Sequence, residues 1–72
     1  MEIKKLGHND TYTLKTADGC YTFFDEVIPN DNLSCVELRA HTYVSGALYG
    51  DKADEFLKLW EKNNDTHIAR PF

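Results

Sequence analysis

Residues 35–44 read CVELRAHTYV, and apolar side chains alternate with polar or aromatic ones along the stretch. Alternation with a period of two is typical of a half-buried antiparallel strand, so the stretch predicts a strand with a core face and an outer face. The core face is expected to carry Val36, Leu38, Ala40 and Val44. The outer face is a charged and aromatic row, which we interpret as the candidate working surface: Cys35, Glu37, Arg39, His41 and Tyr43.

A β-hairpin is predicted before this strand, between residues 11–16 and 20–28. The Asp18-Gly19 pair favours it, because a two-residue type I′ turn needs residues that tolerate positive φ. A loop of two residues would place Leu14 opposite Phe23. The core side of the hairpin would then carry Tyr12, Leu14, Tyr21, Phe23 and Val27, and its outer side Thr13, Lys15, Cys20, Thr22 and Phe24.

The second strand of the hairpin is expected to pair with the alternating strand across a loop at residues 29–34. Placing Ile28 opposite Cys35 keeps the outer faces of these strands on one side of the sheet. That register also sets Glu26 against Glu37, and like charges directly opposite each other are unfavourable. A register shifted by two residues is therefore the alternative.

Residues 51–63 predict an amphipathic helix, because apolar side chains recur at the spacing i, i+3, i+4 and i+7. Asp51 is a favourable N-cap residue, and Asp54 and Lys58 form an i,i+4 ion pair. The asparagines that follow favour a stop. The stripe that faces the core is expected to contain Ala53, Phe56, Leu57 and Trp60.

These elements predict a single α+β domain over residues 1–72. A short strand at residues 2–6 and a turn at residues 7–10 precede the hairpin, which gives an antiparallel sheet of three or four strands. The C-terminal helix is expected to pack on one face of that sheet. Residues 66–72 are interpreted as either a short edge strand or a flexible tail. The segment between the alternating strand and the helix, residues 45–50, is predicted to be a connection.

Composition restricts the classes of partner. The chain is 42% hydrophobic and 28% charged, which is typical of a globular domain. Its formal net charge of −4 disfavours nucleic acid and membrane surfaces, because phosphate binding needs clustered Lys and Arg. Neither a signal-peptide pattern nor a membrane span of about 20 apolar residues is visible, so a cytoplasmic location is expected. The two cysteines are too few for a secreted disulfide scaffold.

The sequence offers little that favours catalysis. Its three histidines and two cysteines lack the spacing of a zinc site. Cys20 or Cys35 with His41 would form a Cys–His pair, but the predicted register sets Thr22 opposite that histidine. A short chain also has little room to enclose a substrate pocket. We therefore expect a protein without enzymatic activity, metal, cofactor or small-molecule ligand.

The outer sheet face remains as the candidate binding site. Its predicted members are Lys15, Thr22, Phe24, Glu37, Arg39, His41 and Tyr43. Aromatic residues and Arg are enriched at the centres of protein interfaces, so this face favours association with a second copy or with a larger protein. Compact acidic chains without motifs are common in phage and mobile-element genomes, where they block host proteins, which suggests an inhibitor or adaptor. The alternative is single-stranded nucleic acid stacking on Phe24 and Tyr43.

Overall fold

A computed structural model describes residues 1–7 and 10–71, and within them the chain forms six strands and one helix. The elements are β1 (Glu2–Lys5), β2 (Tyr12–Lys15), β3 (Tyr21–Phe24), β4 (Glu26–Asn30), β5 (Cys35–Ala40), β6 (Tyr43–Tyr49) and α1 (Asp51–Asn64). The α+β class, the antiparallel pairing and the C-terminal helix are confirmed. The strands divide between two three-stranded sheets, β1-β2-β3 and β4-β5-β6. The predicted turn at residues 7–10 includes residues 8 and 9, which lie outside the described residues.

The β2–β3 hairpin is offset by one residue from its predicted register, because its loop has three residues. The N–H of Thr16 donates to the carbonyl of Cys20 at 3.2 Å, and the N–H of Gly19 donates to the carbonyl of Thr16 at 3.0 Å. Gly19 has a φ of 78°, the left-handed conformation that closes a three-residue hairpin loop. Leu14 therefore lies opposite Thr22.

This offset exchanges the two predicted faces of β3, whereas those of β2 are unchanged, because side chains alternate along a strand. Phe24, predicted on the outer face, is fully buried. Tyr21 and Phe23, predicted in the core, are exposed. The predicted positions of these three rings are wrong, whereas the burial of Leu14 is confirmed.

Phe24 is buried because it is the centre of an aromatic cluster between the first sheet and α1. Its ring centroid lies 5.7 Å from that of Tyr12, 5.9 Å from that of Phe56 and 5.6 Å from that of Trp60. Tyr12 and Trp60 meet edge to face at 4.8 Å. Such pairs add about 0.5–1.5 kcal/mol each beyond the burial of their area. The cluster attaches the helix to the hairpin.

The predicted strand at residues 20–28 is interrupted at Asp25, which separates β3 from β4. The N–H of Asp25 donates to the carbonyl of Arg39 at 2.7 Å. At Asp25 the chain passes from the first sheet to the second, and this hydrogen bond joins the two sheets there. Pro29, predicted to begin a loop, lies inside β4, an edge strand where its missing N–H is tolerated.

The β4–β5 register is the alternative that avoids opposed glutamates. Ile28 faces Glu37, so the pairing of Ile28 with Cys35 is wrong by two residues. Glu26 instead faces Arg39, which replaces a like-charge pair with an opposite-charge one. The burial of Val36, Leu38 and Ala40 is confirmed.

The alternating strand is shorter than predicted, because the chain reverses after Ala40. His41 has a φ of 59° in the turn that joins β5 to β6. Tyr43 then pairs with Ala40, and Val44 pairs with Arg39. The reversal exchanges the predicted faces of Tyr43 and Val44, which is a second correction to the predicted outer surface.

Residues 45–50, for which the sequence predicts a connection, largely belong to β6. Gly46 is required there because the two sheets approach closely: a Cβ atom at this position would lie 2.9 Å from Cγ2 of Thr22. The inner faces of both sheets and the helix enclose the core, which contains Leu14, Phe24, Val36, Leu38, Leu48, Ala53, Phe56 and Leu57.

The helix forms as predicted, one residue longer, with Ala53, Phe56 and Leu57 buried. Nζ of Lys58 lies 3.0 Å from Oδ2 of Asp54, as expected for the i,i+4 pair. Its N-cap is Gly50 without a side-chain cap bond, so the predicted Asp51 cap is wrong. None of the helical structure in the described part of the chain is long and apolar enough to cross a membrane.

The segment after the helix folds back on it rather than forming a strand or a free tail. The N–H of Ile68 donates to Oε2 of Glu61 at 2.8 Å, and the Ile68 side chain packs against the core. Arg70 donates to both Glu61 and Asp54. Residues 66–71 therefore cover one side of α1.

Candidate functional site

The residues predicted to share one outer face lie in separate parts of the structure. Phe24 is in the core and is unavailable to a partner. Thr22 is half-buried between the sheets, where its side chain occupies the space that a Cβ atom on Gly46 would need. The one-residue hairpin offset moves both of these side chains inward. Neither side chain lies on the predicted outer face.

Glu37 and Arg39 lie on the outer face of the second sheet and pair with each other. Nη2 of Arg39 donates to Oε2 of Glu37 at 3.1 Å, and Nε donates to the same oxygen at 3.3 Å. Glu26 faces Arg39 across the strands. The guanidinium is therefore engaged within its own sheet, and this face offers a neutralised ion pair.

His41 and Tyr43 flank the β5–β6 turn. The backbone N–H of His41 donates to Oδ1 of Asp25 at 3.2 Å, and its Nδ1 atom lies 3.7 Å from Oδ2 of the same carboxylate. The His41 side chain is 83% exposed. Tyr43 lies on the side of the strand opposite to Arg39. His41 thus stabilises the junction between the sheets through Asp25. The predicted alignment of Arg39, His41 and Tyr43 on one strand face is wrong.

Lys15 lies on a third surface, the outer side of the first sheet. The strand register aligns Glu2, Lys15 and Tyr21 in one cross-strand row. The neighbouring row holds Lys4, Thr13 and Phe23. We call these six side chains the aromatic face; its members are Glu2, Lys4, Thr13, Lys15, Tyr21 and Phe23.

The aromatic face displays large rings next to ammonium groups. Tyr21 is 60% exposed and Phe23 is 52% exposed, although their strand is covered on its other side by the core. Nζ of Lys15 lies 5.7 Å from the centroid of the Tyr21 ring, a cation–π distance. A shallow depression of about 120 Å³ lies between Glu2, Lys4, Thr13, Lys15 and Tyr21. The arrangement can hold an apolar group against a ring while the lysines meet an anionic group.

Sequence reasoning missed Tyr21 and Phe23 because it assumed a two-residue hairpin loop. A three-residue loop that ends in Gly19 is the next most common hairpin connection, and it predicts the observed faces. The position of Phe24 beside Asp25 and Glu26 gave no reason to prefer either register. The signal therefore lay in the loop length, which the Asp-Gly pair alone does not determine.

A second concavity of about 450 Å³ lies between the hairpin tip, β6 and the start of α1. The polar groups on its wall include the Asp18 carboxylate, the Cys20 thiol and the Lys52 ammonium. Cys20 is exposed and Cys35 is buried, and both are free thiols. Cys35 begins β5 whereas His41 follows its end, so these two do not form a catalytic pair.

Among residues 1–7 and 10–71, no group of three or more His, Cys, Asp or Glu side chains converges as a metal site would require. Exposed aromatic and basic groups on a sheet face are thus the principal candidate site. Comparison of the chain with protein-family models, curated proteins and solved structures found no match in any of the three.

Proposed function

We propose that this protein is a non-enzymatic binding module that docks on a larger protein through its aromatic face, as an inhibitor or adaptor. The observation that carries the proposal is the exposure of two large rings, Tyr21 and Phe23, on one face of an otherwise packed sheet. Exposed aromatic groups of this kind are enriched at the centres of protein interfaces. The expected cytoplasmic location is part of the proposal, and the two free thiols are consistent with it.

The charge of the aromatic face indicates the chemistry of the partner. Lys4 and Lys15 outnumber Glu2, so the face is locally basic in a chain whose formal net charge is −4. Two copies joined through this face would bring like charges together. A partner that presents an apolar centre with acidic residues beside it would instead complement the rings and the lysines. This favours a larger acidic protein over self-association at the aromatic face.

Single-stranded nucleic acid is the second candidate for the same face. Bases stack on exposed aromatic side chains of antiparallel sheets, and Lys15 beside Tyr21 supplies a cation next to such a ring. The electrostatic contribution is small, because only two lysines accompany the rings on this face and the whole chain is acidic. We therefore rank protein binding first.

The test compares the wild type with Tyr21→Ser and Phe23→Ser in quantitative capture from a lysate of the source cells, with and without nuclease. Both side chains are largely exposed, so the variants are expected to fold while they lose the captured protein at least tenfold. Leu33→Ser is the matched control, since Leu33 is 57% exposed on the turn that joins β4 to β5 in the second sheet, whereas the aromatic face belongs to the first. Its capture should equal that of the wild type.

Two further results separate the candidates. Lys4→Glu with Lys15→Glu should weaken capture, whereas Lys52→Glu on α1 should not. Binding to labelled oligothymidine or oligouridine that falls steeply with salt would favour nucleic acid instead. If neither ring variant reduces capture relative to Leu33→Ser, the aromatic face is not the binding site.

A further inference from the structure

The strands at the edges of the two sheets differ in how well they are protected. In the described residues the edges are β1 and β3 of the first sheet, and β4 and β6 of the second. Natural edge strands avoid pairing with other chains by means of lysines, prolines, short length or cover from neighbouring elements. Three of the four residues in β1 are charged, and β4 contains Pro29 and Glu26. The four-residue β3 packs against β5 and β6.

The edge formed by β6 has neither a charge nor a proline. Its sequence, YVSGALY, is uncharged, and its seven residues make it the longest strand in the described part of the chain. Tyr43 is 60% exposed, Val44 is 48% exposed and Tyr49 is 58% exposed. A long, uncharged and apolar edge is a template for strand addition. The features that protect β1 and β4 are absent from this strand. Its contact with β3, where Thr22 meets Gly46, lies on the core face, so the edge of β6 has no strand paired to it within the described residues.

We infer that two copies of this chain associate by antiparallel pairing of their β6 strands. Two copies of a chain with a formal net charge of −4 repel each other overall, and β6 offers an uncharged strand for the contact. The acidic neighbour on the outer face, Glu37, is already paired with Arg39 at 3.1 Å. Pairing of this kind would join the two β4-β5-β6 sheets into one continuous sheet with twofold symmetry. The inference is independent of the aromatic face.

The strand faces restrict the register of this pair. Gly46 and Leu48 point to the core side, because they face Leu38 and Val36 on β5. Ala47 points to the outer side. Residues directly opposite each other in a sheet share a face, so Gly46 can pair with Leu48 of the partner copy. Ala47 would then lie opposite its own copy on the twofold axis.

The irregular part of β6 also favours a twofold axis at Ala47. The β5–β6 register shifts between Leu38 and Arg39, which leaves Ser45 without a direct partner. A bulge of this kind bends a strand and disrupts its edge. The regular residues 46–49 follow the bulge, and the pairing around Ala47 lies within them. Its small exposed side chain allows the two strands to meet without a clash.

The mass in solution is the first test. The mass measured by light scattering behind size exclusion is expected to rise with concentration and to approach twice the 8.3 kDa of one chain. Ala47→Lys places two ammonium groups together at the axis and should return the mass to that of the monomer. Leu33→Lys is the matched control and should remain dimeric. Both changes are at exposed positions, so unchanged circular dichroism should accompany them.

Cross-linking tests the register. Directly opposed residues in an antiparallel pair lie about 4.5–5.5 Å apart between Cα atoms, within the range of a disulfide. In a Cys20→Ser background, Ala47→Cys should form a disulfide-linked dimer under mild oxidation, and Val44→Cys should form at least tenfold less. A monomeric wild type at the highest attainable concentration, or a dimer that survives Ala47→Lys, would overturn the inference. Tyr21→Ser and Phe23→Ser should leave the dimer intact. Loss of partner capture in these variants therefore tests the proposed function, and the mass in solution tests the dimer separately.

Discussion

Arg70 clasps Glu61 with two hydrogen bonds: Nη2 donates to Oε1 at 2.7 Å, and Nη1 donates to Oε2 at 3.2 Å. Oε2 also accepts the N–H of Ile68 at 2.8 Å and lies 2.8 Å from Nδ1 of His67. Nε of the same guanidinium donates to Oδ1 of Asp54 at 3.1 Å. One carboxylate on α1 thus holds the chain after the helix at several points.

We expect Arg70→Gln to release this segment, because the shorter amide cannot reproduce the two-pronged contact with Glu61. The Arg70 hydrogen bonds are the main reason that the pKa of Glu61 is lowered to about 2 from 4.5, so the variant should raise it toward 4.5. NMR titration of the Glu61 side chain measures this change. Proteolysis after residue 66 should also become faster. Equal Glu61 titration curves in Arg70→Gln and wild type would contradict the contact between Arg70 and Glu61. Lys62→Gln on the same helix is the control.

Stability should fall in acid because of the same carboxylate. The folded-state pKa of Glu61 is about 2 and its ordinary value is 4.5, so the unfolded chain binds the proton first as the pH falls. The contribution of Glu61 is therefore complete above pH about 4.5 and is lost as the pH falls toward 2. Arg70 also lowers the pKa of Asp54, after the larger effect of Lys58.

Urea midpoints measured across that range should be less pH-dependent in Glu61→Gln than in wild type. Glu55→Gln, at an exposed position on the same helix, should retain the wild-type slope. If Glu61→Gln and wild type lose stability in parallel as the pH falls, the contact between Arg70 and Glu61 makes no contribution to acid sensitivity.

The predictable parts of this fold are those where periodicity has a single interpretation. In β5 the alternation identified Val36 and Leu38 as core residues, and in α1 the helical spacing identified Phe56 and Leu57. Each pattern is long enough that a shift by one residue would contradict it. These two elements determined the α+β class and the C-terminal position of the helix.

The parts that could not be predicted depend on local choices with small energy differences. Loops of two and of three residues are both compatible with Asp18-Gly19, yet they place Phe24 on opposite faces. In β6, Ser45 and Gly46 resemble a loop, although Gly46 is needed where the strand meets Thr22. The candidate site was misplaced because it depended on that hairpin register.

Substitution of adjacent phenylalanines tests the hairpin register. Phe24→Ala should cost about 3–5 kcal/mol, because it removes the central ring of a fully buried cluster. Phe23→Ala should change stability by only about 0.5 kcal/mol, because that side chain is largely in solvent. Urea denaturation measures both, with Phe24→Leu as a milder variant if Phe24→Ala does not fold. The predicted two-residue loop would reverse the order of the two costs.

A methyl group at Gly46 should destabilise the contact between the sheets. In Gly46→Ala the new Cβ atom would meet Thr22 Cγ2 at 2.9 Å and Oγ1 at 3.1 Å, and overpacking of this kind costs about 1–3 kcal/mol. Thr22→Ala removes both crowding atoms, so the double variant should recover much of the loss. A thermodynamic cycle from urea midpoints gives the coupling between the two sites. Additive effects would show that the sheets do not meet at this pair.

The two thiols should differ in their reaction with a water-soluble disulfide reagent. Cys20 is exposed near the hairpin tip and should react at once, whereas Cys35 is fully buried and should react only when the fold opens. In Cys20→Ser the remaining reaction should therefore follow the opening of the fold and accelerate in urea. Cys35→Ser should retain the fast phase alone. Two fast phases in the wild type would mean that β5 is not enclosed at Cys35, and both the β4–β5–β6 register and the dimer inferred from it would then need revision.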